Sequence, residues 1–392
     1  MEKPNYFWRI LQKSWGFARL PFRLDRWLPF LPRGWRISFG IWVRLSVDQR
    51  DCVHAQVGVK TTELYAPLSK GDIRILRLEP GTGSDPLVIG LEHHNLSNAP
   101  PYEALSYCWG SERPKRRCFI DGLEVGILPN VEDALRNLRL PDCPRRLWID
   151  SVCINQSYFL ERNDQVARMD DIYRCAQQVL VWLGSPDEQS TVGMEALRFF
   201  VDPASVPTDA PWYFSSSRDA ALGLRSILQR AWWKRFWTVQ EAVLARQVLL
   251  MCGKHTVRWR TNISTLRRIK FMTKFAATSP QWELAPFHEV DLQPLVEIIE
   301  AQIREREEET GVRVEKDILD VRYEFRNRQC TFFSDKLYAL LGLAESRRMG
   351  LKGLELVDYT QKAEEAHAKF AAVLHGLNPG LDIPKEWVHG HL

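Results

Sequence analysis

Four short blocks place hydrogen-bonding groups where a packed core does not need them. Residues 102–110 read Tyr-Glu-Ala-Leu-Ser-Tyr-Cys-Trp-Gly, and residues 147–156 read Leu-Trp-Ile-Asp-Ser-Val-Cys-Ile-Asn-Gln. Residues 161–166 read Glu-Arg-Asn-Asp-Gln-Val, and residues 237–241 read Trp-Thr-Val-Gln-Glu. Ser106, Trp109 and Gly110 close the first block, Asp150, Asn155 and Gln156 stand in the second, and Trp237 and Glu241 frame the last. Carboxylates, side-chain amides, a hydroxyl and an indole are groups that bind a ligand by hydrogen bonds and stacking. Nucleophilic chemistry is poorly supported, because Cys153 would need a histidine base and His93-His94 has no supporting spacing. Neither a P-loop nor a dinucleotide glycine fingerprint is present. The eight cysteines form no C-x-x-C pair and no zinc framework.

Every one of these residues also has a plain structural use. Asp150 could orient Asn155, Gln156 or a ligand hydroxyl, or it could cap a turn by accepting backbone N–H groups. Asn155 and Gln156 could offer amides to a ligand, or pin their loop to the helix that follows. Ser106 faces a crevice or satisfies a neighbouring backbone group. Gly110 permits close approach of a phosphate, and glycine after a strand is also ordinary turn chemistry. Trp109 and Trp237 could sandwich an aromatic base, with core packing favoured for Trp237. Glu241 could lie exposed on its helix or pair with Arg235 or Arg246.

The elements that must position these groups alternate. Strands are expected at Ile73–Leu78, Ala104–Cys108, Arg146–Asp150, Val179–Leu183 and Val248–Met251, with 79–101 as a loop. Asp121-Gly122 between Cys118–Ile120 and Leu123–Val125 is a hairpin signal. Helices are expected from an Asn130 cap to Leu140, over Leu160–Gln177 and over Phe236–Ala245, with short ones around Glu195–Phe200 and Ala220–Leu228. That alternation predicts an α/β fold, a mostly parallel sheet flanked by helices, with polar tails lining the crevice at the strand ends. After Lys254 the pattern turns helical, at Ile263–Lys274, Leu292–Arg306 and Ser334–Leu343, and the charge run 304–309 reads as a solvated helical face. The domain reading is a leader over 1–65, an α/β domain over 66–260 with an insertion near 185–230, and a helical region over 261–392.

Composition sets the class. With 45% hydrophobic and 26% charged residues, the 392-residue chain reads as globular, and a net charge of +4 makes no case for nucleic acid. Residues 1–51 hold ten Lys/Arg against four Asp/Glu together with Trp8, Trp15, Trp27, Trp35 and Trp42. That mixture suits a membrane surface or a partner groove, although Pro21, Pro29 and Pro32 break any long amphipathic helix there, and a hydrated extension is the preferred reading. The absence of a long apolar run or a secretory h-region, with unpaired cysteines, points to a reducing cytoplasmic setting.

The blocks resemble the fungal heterokaryon-incompatibility (HET) domain family. Its A-L-S-Y-x-W-G strand stands here at Ala104–Gly110 and its W-I-D-x-x-C-I-N-Q strand at Trp148–Gln156. Its E-R-x-x-Q-V helix stands at Glu161–Tyr173, and its W-x-x-Q-E helix at Trp237–Glu241. The downstream Ser334–Leu343 is similar to a recurring D-K-x-Y-A-L-L-G element, with Ser334 where arginine is common. A more distant likeness is to Toll/interleukin-1 receptor (TIR) domains, whose catalytic glutamate, in the NAD-cleaving members, lies on a helix similar to 237–241. By that resemblance the fold is TIR- or flavodoxin-like and Glu241 is the catalytic candidate. NAD is then a substrate, with no permanently bound cofactor, and Ser106, Trp109, Gly110, Asp150, Asn155, Gln156 and Trp237 would bind it. The longer insertion here and Trp109 in place of the usual arginine depart from the TIR pattern. The implied role is non-self recognition leading to programmed cell death, through self-association or contact with other HET or TIR-like domains. A non-catalytic adaptor working through the same surface is the other implied reading.

Overall fold

The computed structural model describes residues 64–383, less 111–115, 207, 209, 211–215, 260–261, 279–284, 310–315 and 354. The leader expected over 1–65 therefore lies outside the described residues except for Leu64 and Tyr65. Among the described residues, nine strands form one sheet in the order β5-β4-β2-β1-β6-β3-β7-β8-β9. They are β1 Asp72–Leu78, β2 Val88–Asn95, β3 Glu103–Tyr107, β4 Arg116–Ile120, β5 Leu123–Ile127, β6 Arg145–Trp148, β7 Val179–Trp182, β8 Val248–Cys252 and β9 His255–Trp259.

At the centre, β6, β3, β7 and β8 run parallel. Their apolar runs explain why: all four residues of β7 are buried, as are Ala104 to Tyr107 of β3, so both faces of these strands must be covered. Outside this block the sheet is mixed, with antiparallel β1–β2, β1–β6, β4–β5 and β8–β9 and parallel β2–β4. The four central strands stand in the spatial order second, first, third, fourth, which is the flavodoxin-like arrangement. The chain leaves β3 toward one side and later returns to the other, so a topological switch point falls between β3 and β7. Ser106 pairs there with Val181, and Tyr107 with Trp182.

Among the described residues, thirteen α-helices accompany the sheet. The first seven are α1 Pro129–Leu138, α2 Asp150–Cys153, α3 Phe159–Val166, α4 Met169–Cys175, α5 Ser190–Val201, α6 Ser217–Leu228 and α7 Trp237–Val243. The rest are α8 Ile263–Thr278, α9 Gln293–Glu309, α10 Ile318–Glu324, α11 Asp335–Tyr338, α12 Ala344–Arg348 and α13 Ala363–Leu377, so the C-terminal part is helical. The 121–122 hairpin forms as expected, with φ of 48° at Asp121 and 78° at Gly122, the pair of left-handed residues that a two-residue turn needs.

Several boundaries differ from the sequence reading. Residues 88–95 are not loop but β2, and only Ile89 of that strand is buried, so its open side carries the His and Glu residues that disguise it. β9 follows Lys254 before the helices begin. The stripe Val166, Met169, Tyr173 and Ala176 is buried, yet the helix expected over 160–177 divides at Ala167-Arg168. Asn130 is not a cap, because Pro129 already stands at the first helical position. Ser334 precedes α11 without a capping bond. The 304–309 run is not simply solvated. Arg304 is buried between Glu324 and Glu345, and Glu305 is buried against Arg174 and Arg347 while accepting from the Ala344 N–H.

Candidate functional site

The carboxyl ends of β3 and β6, with α7, bring Ser106, Asp150 and Glu241 to one place. Ser106 lies on β3 inside a two-sided apolar run, fully buried, and its Oγ donates to Glu241 Oε2. Trp232 sits in the single helical turn Ala231–Lys234 that leads into α7, and its Nε1 donates to Ser106 Oγ at 2.7 Å. Asp150 opens α2 immediately after β6. Its Oδ1 accepts the Ser151 N–H at 2.7 Å and its Oδ2 accepts Trp109 Nε1 at 2.8 Å. Asp150, the first residue of α2 rather than its cap, thus accepts one backbone N–H in its own turn and also ties β6 to the segment after β3.

Arg235 was not singled out from the sequence except as a possible partner of Glu241. Its guanidinium lies inward, donates to the Tyr107 carbonyl at the end of β3, and sits in the field of both Glu241 and Asp150. Burial disfavours its charge, but the two carboxyls outweigh that and hold its pKa above the ordinary guanidinium value. Burial pushes Glu241 up to about 7; the Asp150 charge adds to the rise, while Arg235 and the Ser106 bond oppose it. Burial also raises Asp150, against Arg235, Trp109 and the Ser151 N–H. Two buried carboxyls with one guanidinium between their fields, at a switch point, form a cluster of perturbed ionisable groups of the kind that marks functional sites.

Asn130 is a second residue that sequence reasoning used differently. From α1 its amide donates to the Cys108 carbonyl, and its Oδ1 accepts Trp182 Nε1 at 2.9 Å, bridging the ends of β3 and β7 across the switch point. No sequence signal distinguishes that role from the cap expected of it.

Asn155 and Gln156 turn toward their own loop. Asn155 Oδ1 accepts from Ser157 N and Oγ, and Gln156 Nε2 donates to the Asp150 carbonyl at 2.9 Å. Glu161 anchors that loop, since its carboxylate accepts the Asn155 N–H at 2.7 Å and is gripped by both terminal nitrogens of the buried Arg74 on β1. Trp237 is nearly buried and bonds Asp335 of α11. Arg162 lies 3.7 Å from the Tyr359 ring centroid, and Tyr359 in turn donates to Asp335 at 2.7 Å. Gly342 passes so close that a Cβ there would meet Asp170 Cβ at 2.1 Å and Gln240 Oε1 at 3.0 Å. The Glu-Arg block and the 334–343 element therefore clasp the C-terminal part against α3, α4 and α7.

Glu241 is 1% exposed and Ser106 0%, so the carboxyl is sealed in this state, whereas Gly110 is exposed and Trp109 and Arg235 are partly so. Among the described residues no cluster of His, Cys, Asp and Glu could hold a metal ion, and no helix is long and apolar enough to cross a membrane.

Residues 102–241 match the family model described as Heterokaryon incompatibility protein (HET). The chain is also 31% identical over 228 residues to a Neurospora crassa protein named Heterokaryon incompatibility protein 6, OR allele. That match covers 47% of this chain and 34% of the relative, so the chain spans about a third of the length of the curated protein it resembles. No solved structure gives a significant match.

Proposed function

Because residues 102–241 match the HET family, we propose that this chain acts in fungal non-self recognition leading to programmed cell death, with the Glu241 cluster hydrolysing NAD. The observation that supports catalysis is a buried carboxyl, Glu241, bonded to Ser106 and beside Arg235 and Asp150 at the switch point. A fully buried acidic group of this kind is costly to folding and is worth its cost where charge must be presented to a ligand.

In the proposed reaction the bond between ribose C1′ and the nicotinamide nitrogen breaks. The pyridine ring takes the electron pair and leaves neutral. Water adds to C1′ and loses a proton, so the products are ADP-ribose, nicotinamide and H⁺. The leaving group needs no proton. What the transition state needs is negative charge beside an oxocarbenium-like ribose, and ionised Glu241 can supply it while accepting a ribose hydroxyl. Gly110 and the half-exposed Trp109 mark the entry side, and the Trp109–Asp150 bond is the contact that would have to yield for NAD to reach Glu241. Contact with a second HET or TIR-like domain is the proposed trigger, in the cytoplasm.

One observation favours a second reading. The sealed carboxyl suits a non-catalytic signalling module that works by HET–HET association. The two separate in one assay: incubate the purified chain with NAD, with and without a crowding agent that promotes association, and follow nicotinamide release beside Glu241→Gln. Release that the substitution abolishes supports hydrolysis. Release equal in both proteins removes Glu241 from the mechanism, and no release in either supports the adaptor.

A further inference from the structure

Of the six buried tryptophans among the described residues, Trp148, Trp233 and Trp259 leave their indole N–H without a hydrogen-bond partner. Packing alone therefore does not oblige a buried indole in this fold to find an acceptor. Trp232, like Trp182 with Asn130, is bonded, and its N–H is spent on Ser106 Oγ inside the cluster. Its ring is held edge-on against Trp233, with centroids 4.8 Å apart and planes at 89°. The Thr238 hydroxyl, whose one proton lies between the Arg235 carbonyl at 2.7 Å and the Trp232 carbonyl at 3.1 Å, ties the turn that carries the indole to α7.

Counting donors then sets a direction. An indole nitrogen can only donate, and a serine hydroxyl has one proton and two lone pairs. Ser106 Oγ must accept from Trp232, and its single proton is left for its other partner, Glu241 Oε2. If Glu241 were protonated on Oε2 and donated back, the Ser106 O–H would lose its acceptor at a site with 0% exposure. We propose that Trp232 and Ser106 are positioning residues, a one-way relay that reserves Oε2 of Glu241 as an acceptor and leaves Oε1 to meet substrate. The mention of substrate rests on the NAD reading above; the relay itself does not. It also fits the chemistry, because a donated bond favours the ionised carboxylate that an oxocarbenium-like ribose requires. Any proton Glu241 does carry sits on Oε1.

The test reads the protonation of Glu241 directly and needs no turnover. In the full chain, the infrared band of the protonated Glu241 carboxyl, assigned by its loss in Glu241→Gln, is followed against pH. In Ser106→Ala the midpoint rises by about one pH unit, a tenfold change in the protonation equilibrium, because a bond donated to the charged form is gone. Ser106→Thr keeps the hydroxyl and restores the wild-type midpoint. Trp232→Phe shifts it in the same direction by less, since Ser106 then loses the donor that polarises its O–H. A folded Ser106→Ala whose midpoint stays or falls overturns the relay, as does a Ser106→Thr that behaves like alanine. Shifted midpoints in a protein that releases no nicotinamide uphold the relay and sink only the NAD reading. Unshifted midpoints in a protein that does cleave NAD do the reverse.

Discussion

Replacing Glu241 by glutamine should change how stability depends on pH, in a direction the burial of this residue dictates. The folded state holds the Glu241 pKa at about 7 against an ordinary value of 4.5. Between those values the folded chain binds a proton that the unfolded chain has released, so stability contributed by this group is present below about pH 4.5 and declines as pH rises through 7. The gap of roughly 2.5 units corresponds to about 3 kcal/mol across the window. Glutamine keeps the shape, can still accept from Ser106, and does not titrate. Urea unfolding of both proteins at pH 5, 6, 7 and 8 isolates the contribution, because other raised carboxyls such as Asp335 and Glu297 are common to both. The variant should gain on the wild type by a few kcal/mol from pH 5 to 8, provided fluorescence and circular dichroism transitions coincide. A difference that stays flat over that range would refute the argument, and with it the claim that Glu241 is held out of water.

Nicotinamide release, where present, should rise with pH through about 7, because the ionised carboxylate is the competent form; a rate that falls over the same range contradicts the assigned role. Glu161→Ala should cost about 3–5 kcal/mol in denaturant unfolding, since it strands the fully buried Arg74 guanidinium, and a loss below about 1 kcal/mol would mean that Arg74 finds water. Gly342→Ala should destabilise by about 1–3 kcal/mol or more, through the clash with Asp170 Cβ, and native-state hydrogen exchange should show α11 and α12 opening first. Asn130→Ala should cost about 1–3 kcal/mol by leaving Trp182 Nε1 and the Cys108 carbonyl unpaired; a neutral result would dissolve the bridge across the switch point.

The parallel centre of the sheet was legible because β3, β7 and β8 are largely apolar on both faces, a pattern that neither exposed strands nor amphipathic helices produce. β3, β7 and β8 fall within a residue or two of their expected spans. Strands with one open face were harder, and β2 passed for loop because Glu92, His93 and His94 sit where solvent reaches. The break between α3 and α4 carries no proline or glycine to announce it. The charge run at 304–309 looked solvated because charged residues usually are, yet Arg304 and Glu305 find their partners on other elements.

By itself the sequence determined that two of the four blocks end strands and two lie on helices, since periodicity and end chemistry are local properties of the chain. It also carried the HET motifs that the family comparison matches. Only the tertiary structure decided that Ser106, 135 positions before Glu241, donates to it, that Trp232 stands behind Ser106, and that Arg235 lies in the field of two carboxyls. It decided too that Asn155 and Gln156 serve their own loop and that Glu241 is buried rather than exposed. Such partnerships depend on strand order and on which way each side chain leaves its strand or turn, and many different foldings of the chain would satisfy the same local pattern.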